Sequence, residues 1–353
     1  MTNTTHRIDW LDSLRAIAIL GVIIIHVSSP VVNMSYGKNM FYWWTGNIFD
    51  SMVRFSVPLF LMISGATLLS KSYDLKTFYQ KRFLRVFIPF LFWMLVYWVF
   101  RWFTLPTSIR PYGFNEVVQW GINLFLKEGI SKHFWYVYML VILYLFTPFI
   151  GMSVRKLKPE MLVFLLLAWV LICNVTKNFP VDMYGWKGNL FPKFFTYFLY
   201  SGYMVLGYYL YRWMITSRNI RMSAFFLYLV TVCASCFMAY SSSKFKGRLD
   251  LSIYGYFSLN TMVQACALFI SLKGLEIQNK TLHRVQHLLS DYSYGIYLSH
   301  ILVLGIFFNI GIFWTMANPL LSIPAVVILT LAASLLIVFA LRKLPPFGKY
   351  ISG

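Results

Sequence analysis

The sequence predicts an all-α, polytopic transmembrane helix bundle of about ten spans. Two observations carry that prediction. Apolar runs of roughly 17 to 25 residues recur along the whole chain, the length an α-helix needs to cross a bilayer. Only 12% of the 353 residues are charged, 59% are hydrophobic and the mean hydropathy is +0.65. A soluble domain of this size carries about 25% charged residues.

The spans fall near 10–28, 53–70, 84–103, 134–152, 160–176, 194–213, 222–240, 254–272, 292–315 and 322–341. Arg15 interrupts the apolar run of the first and no small-residue cleavage site follows, so it is expected to stay as a signal anchor. It should break at Ser28-Ser29-Pro30. The second, NIFDSMVRFSVPLFLMISG, and the third, from KRFLRVFIPF onward, contain Pro58 and Pro89, where kinks are expected. The fourth follows His133, the short fifth follows Pro159, and the sixth follows Pro192. Cys173, Cys233, Cys236 and Cys266 lie in spans five, seven and eight. The C-x-x-C among them has no second pair or nearby histidine, which favours packing over metal or redox use. The ninth begins SDYSYGIYLSH, and the tenth, after Pro319, stops before Pro345-Pro346.

Charge orients the bundle. With a cytoplasmic N-terminus, eighteen Lys and Arg fall on the inner side and twelve on the outer, with Arg15 left out as intramembrane. The even span number then places both termini in the cytoplasm. Loops 104–133 and 177–193 are too short to fold alone and no internal repeat is visible, so residues 1–353 read as a single membrane domain. The net charge of +20 sits mostly in short loops, where it meets lipid headgroups rather than nucleic acid.

Ionisable residues at membrane depth mark functional sites. Arg15 and His26 share one face of the first helix, about 16.5 Å apart and roughly 20° apart in azimuth. His26, near the outer end, suits deprotonation of a hydroxyl arriving from outside, since histidine titrates at about 6.5; an interhelical hydrogen bond is the plainer reading. Arg15 fits either a helix-end pair with Asp12 or a phosphate, which its planar fork binds bidentately.

Arg82 and Arg85 are spaced to share a face at the inner start of the third span, as membrane anchors or as a pyrophosphate or ribose-phosphate clamp. Ser293, Tyr297 and His300 recur on one face of the ninth. His300 is expected about 12 Å into the membrane, nearer the depth of Arg15 than of His26. That suits a cofactor channel, or simply a polar seam. His133 and Arg54, both external, are the acceptor-side candidates, while His6, His283 and His287 receive no role.

Together these segments resemble the acyltransferase-3 family of bacterial integral membrane acyltransferases. RAIAILGVIIIH matches its R-x10-H pattern and RFLR its R-x-x-R pattern. SVPLFLMISG, HFWYVYMLVILYLFTPF and SYGIYLSH are similar to its second, fourth and near-terminal helices. The likeness covers nearly the whole chain and is closest to forms without an extracytoplasmic hydrolase-like domain, such as those that O-acetylate enterobacterial common antigen. It implies transfer of an acyl group, usually acetyl, from cytoplasmic acyl-CoA to a hydroxyl of a surface polysaccharide or lipid-linked sugar. It also implies a multi-pass protein of the bacterial inner membrane. His26 is then the base or transient acyl acceptor, and Arg15, Arg82 and Arg85 hold the phosphates of coenzyme A. Acetyl-CoA is the expected co-substrate and no metal is expected. A transporter of polysaccharide or lipid-linked sugar is the alternative, with arginines grouped at one face and absent repeats against it.

Overall fold

The computed structural model describes residues 7–126, 130–178 and 190–353, and contains no strand among them. His6 lies outside the described residues. In chain order the helices are α1 (Asp9–Ser35), α2 (Met40–Met52), α3 (Ser56–Leu68), α4 (Leu75–Arg82), α5 (Ile88–Thr104), α6 (Phe114–Leu126), α7 (Trp135–Val154) and α8 (Pro159–Asn178). They continue with α9 (Leu190–Leu199), α10 (Ser201–Arg212), α11 (Arg218–Phe245), α12 (Leu259–Leu272), α13 (Lys280–Asn309), α14 (Pro319–Arg342) and α15 (Gly348–Ile351). A π-helical turn, Phe83–Phe87, joins α4 to α5.

Eight segments among the described residues are long and apolar enough to cross a membrane. The chain is a multi-pass membrane protein. The expected spans at 160–176 and 194–213 are helical but shorter: the apolar part of α8 runs Pro159–Val175, and the other divides at Tyr200 into α9 and α10. Large apolar side chains such as Phe164, Leu167, Phe226, Phe237, Ile328 and Leu336 face outward, as in helices whose solvent is lipid.

Three expectations are corrected. The second crossing starts at Met40, not near 53, because α2 and α3 together form it. Its first half carries Thr45, Asn47, Asp50 and Ser51, all buried, which lower the hydropathy without exposing the helix. Pro58 sits in the first turn of α3, where a missing N–H deprives no carbonyl of a partner. Pro89 opens α5 directly after the π turn; its ring would strike the carbonyl four residues back, and the widened turn accommodates it. Finally, α1 does not break at Ser28-Ser29-Pro30 but continues through Pro30 to Ser35.

Between apolar helices in lipid, burial of apolar surface offers no preference, so close approach and polar contacts decide the packing. Helix α1 is central, packed against α2, α3, α13 and α14. Helices α3 and α10 touch backbone to backbone, with Gly65 against the Met204 carbonyl and Gly207 against that of Met62. The start of α1 meets α13, where the Ser290 hydroxyl donates to Asp12 Oδ1 at 2.6 Å. The chain's end packs at the same end of the bundle, with Ser352 against Gly295 of α13.

Candidate active site

The two residues singled out on α1 lie eleven positions apart, with apolar core residues between them. At its start, Asp9 and Asp12 occupy the first turn, where negative charge meets the positive helix end. Asp12 is 2% exposed and fully engaged: Arg7 Nε lies at 2.5 Å, Arg15 at 2.7 Å and the Ser290 hydroxyl at 2.6 Å. Arg7 also pairs with Asp291 at 2.8 Å. The two carboxylates hold the Arg7 guanidinium above its ordinary value, although desolvation, the largest single influence, acts the other way.

Arg15 makes the expected pair with Asp12 and also lines a cavity. That cavity, of about 280 Å³, is lined by Arg7, Asp12, Arg15, Thr67, Ser70, Lys71 and Tyr211, among others. Its lining carries three cations and one carboxylate, an excess of positive charge suited to phosphate. Arg7, Lys71 and Tyr211 were not anticipated, because loop cations look alike in sequence.

Arg82 and Arg85 do not line this cavity. The π turn that carries Arg85 has more residues per turn than the α-helix assumed, so the two side chains lie farther apart around the axis than i, i+3 implies. Arg85 is exposed, while Arg82 stacks over Tyr144 at 5.3 Å and Phe78 at 5.6 Å. Arg82 still stays close to the Lys71 loop. Tyr73, whose hydroxyl is pushed up by burial, feels both Arg82 and Arg155 in the opposite sense. Arg155 in turn donates to the carbonyls of Leu69 and Lys71 at 3.0 and 2.7 Å.

Toward the other end, His26, His300 and His133 form a row of imidazoles. The His26 and His300 ring centroids are 5.1 Å apart, and those of His300 and His133 are 5.3 Å apart. The expected depth of His300, nearer Arg15, is therefore wrong. Asp12 and Ser290 set α1 and α13 level, and His300 then stands ten residues beyond Ser290, about 15 Å along the helix.

The tautomers follow from the partners. His300 Nδ1 is 2.6 Å from the Tyr297 carbonyl, which can only accept, so Nδ1 carries the hydrogen and Nε2 the lone pair. His133 Nδ1 faces the Ser131 hydroxyl at 2.7 Å. The Nε2 atoms of His133 and His300 are buried without a partner. His26 alone of the three is not fully buried. It is the reachable base.

The remaining expected residues serve this row structurally. The Tyr297 hydroxyl donates to the His133 carbonyl, and Ser293 back-bonds to the Ser290 carbonyl at 2.8 Å. None of Ser293, Tyr297 and His300 lines the Arg15 cavity. His133, expected on the outer face, is 3% exposed inside the row. Arg54 donates to Asp50 and lies 4.2 Å over the Tyr254 ring. Asp50 also accepts from Ser29 at 3.3 Å, and Ser29 is one turn from His26. The sequence reading passed over Asp50, whose i, i+4 spacing to Arg54 was the available signal.

A family model described as an acyltransferase domain matches residues 8–339. No curated protein and no solved structure matches the chain.

Proposed function

We propose, from the premise that the chain belongs to the acyltransferase-3 family, that this membrane acyltransferase moves an acyl group, usually acetyl, from acyl-CoA to a sugar hydroxyl. One observation supports the reading above the others. A cation-lined cavity and a reachable imidazole occupy one face of α1, about 16.5 Å apart. Coenzyme A is long, with its phosphates remote from its thioester, and that separation suits it. Arg15, Arg7 and Lys71 take the phosphates on the cytoplasmic side, with Arg82 and Arg85 outside the cavity as part of a basic approach. The acceptor, a surface polysaccharide or lipid-linked saccharide, comes from the opposite face of a bacterial inner membrane.

His26 removes the hydroxyl proton while the oxygen attacks the thioester carbonyl. The carbon–sulfur bond then breaks, and the thiolate takes the proton back from His26. The product ester and free thiol balance the reaction. His300, packed ring to ring with His26 and with its Nε2 unpartnered, favours direct transfer by accepting from the imidazolium as it forms. The transporter alternative gains no support from the family match.

Acetyl-CoA-dependent acetylation of glycan in membranes tests this. His26→Ala is expected to lose about 10²–10⁴-fold in kcat, and Arg15→Ala to raise KM for the donor. Wild-type rates from His26→Ala at normal expression would exclude the assignment.

A further inference from the structure

The chain was expected to need no metal, and His283 and His287 to have no role. Their placement argues otherwise. They stand one turn apart near the start of α13, with their Nε2 atoms 2.9 Å from each other. Asp9, the first residue of α1, brings its carboxylate to both: Oδ2 is 3.5 Å from His283 Nε2, and Oδ1 is 3.5 Å from His287 Nε2. Three donors that each bind one ion at about 2.0–2.2 Å stand roughly 3.0–3.5 Å apart in tetrahedral or octahedral geometry. Here the two nitrogens stand at 2.9 Å, the carboxylate brings a different oxygen to each at 3.5 Å, and one donor atom from each residue lies within 4.8 Å of the other two.

A hydrogen bond between two imidazoles would explain the nitrogen pair alone. It would not draw a carboxylate from another helix onto both nitrogens. A second carboxylate completes the pattern. His287 Nδ1, otherwise unpartnered, lies 3.3 Å from Asp12 Oδ2. A buried carboxylate behind a ligating histidine fixes the ring and presents the Nε2 lone pair to the metal.

We propose that Asp9, His283 and His287 form a site for a divalent transition-metal ion of the zinc class, with Asp12 as the positioning residue behind His287. Imidazole with carboxylate is a donor set such ions favour. The ligands are 42%, 37% and 19% exposed, so an ion reaches the site from solvent and keeps water in its remaining positions. The site clamps the start of α1 to α13 and, through Asp12, fixes Arg15 at the mouth of the cavity.

The test uses the full-length, tag-free chain in detergent, stripped with a chelator and titrated with Co²⁺ and then Zn²⁺. The expected result is about one equivalent of Co²⁺ per chain, visible d–d absorption bands and their loss on Zn²⁺ addition. H283Q/H287Q should abolish the bands. Asp9→Asn should change their intensity, and Asp12→Asn should weaken affinity about 10–100-fold with the stoichiometry kept. Absence of saturable binding by the wild-type chain, or equal binding by H283Q/H287Q, would overturn the proposal. Metal uptake is read without acyl transfer, so its failure leaves the catalytic reading untouched.

Discussion

His26 and His300 stand ring to ring across α1 and α13, with centroids 5.1 Å apart, one partly buried and the other wholly so. His300 is fully buried and does not meet a substrate directly, yet its Nε2 is left without a partner in the ring packed against His26. His300→Phe keeps an aromatic ring of similar bulk and removes that acceptor. Its kcat is expected to fall about 10–100-fold, less than the full effect of losing a base, with KM for acyl-CoA unchanged. His300→Gln, which retains an accepting oxygen, should recover part of the rate. A change confined to KM would count against the positioning role.

Asp50 and Arg54, reached from the His26 turn through Ser29, hold each other's charge inside the bundle, at 1% and 12% side-chain exposure. Removing one partner leaves the other uncompensated. Arg54→Leu alone should destabilise by about 3–5 kcal/mol, whereas D50L/R54L should recover much of that loss, since apolar packing replaces a buried pair at little penalty. Thermal melting of both variants in one detergent checks this. A double variant that melts below Arg54→Leu would contradict it.

The contrast between these two pairs shows what sequence conveys. His26 and Arg15 stand out because each interrupts an apolar run, and a single helix fixes their shared face. Asp50 was hidden because the buried polar residues Thr45, Asn47, Asp50 and Ser51 interrupt the apolar run of α2. The depth of His300 depends on the register of α13 against α1. That register rests on interhelical contacts such as Ser290 with Asp12 and His287 with Asp9, which no local pattern encodes. Likewise Pro89 announced an irregularity, but a widened turn rather than a kink resolved it. Interhelical register and the path of loop cations such as Lys71 are tertiary properties, so the catalytic candidate was legible and its surroundings were not.

Asp250, in the loop after α11, offers a pH test away from the membrane core. Desolvation is the largest influence and raises it, but Lys246, Ser242 and Ser252 together hold its carboxyl well below the usual carboxylate range. Lys246 lies at 2.7 Å, and the Ser252 amide donates at 3.1 Å. With the folded value below the unfolded value, the charged form favours folding. The stabilisation is complete above the unfolded value of about 3.9 and is lost as pH falls through the folded one. The gap in melting temperature between the wild-type chain and Asp250→Asn should therefore be constant near neutrality and shrink only below about pH 4. A gap that widens on acidification would refute the assignment.

The contact between α3 and α10 is the tightest helix crossing described here, and two glycines permit it. A methyl group on Gly65 would lie 1.8 Å from the Met204 carbonyl oxygen, and one on Gly207 would lie 2.0 Å from that of Met62. Both obstacles are backbone, so a side chain cannot rotate aside and the helices must separate. Gly65→Ala should then destabilise by about 1–3 kcal/mol, the usual penalty of overpacking, despite alanine's better helix propensity. Gly305→Ala is the control: it too is helical, but its nearest neighbour is a Phe100 ring carbon at an ordinary 3.5 Å. There the gain of up to about 1 kcal/mol from replacing a helical glycine should appear unopposed. Because α3 also carries Ala66 and Thr67 on the wall of the Arg15 cavity, separation of the pair should raise KM for the acyl donor as well. Melting temperatures of opposite sign in the two variants, with the KM effect in Gly65→Ala alone, are the expected outcome. Equal destabilisation by both would show that helical glycine as such, rather than the close crossing, is what the bundle requires.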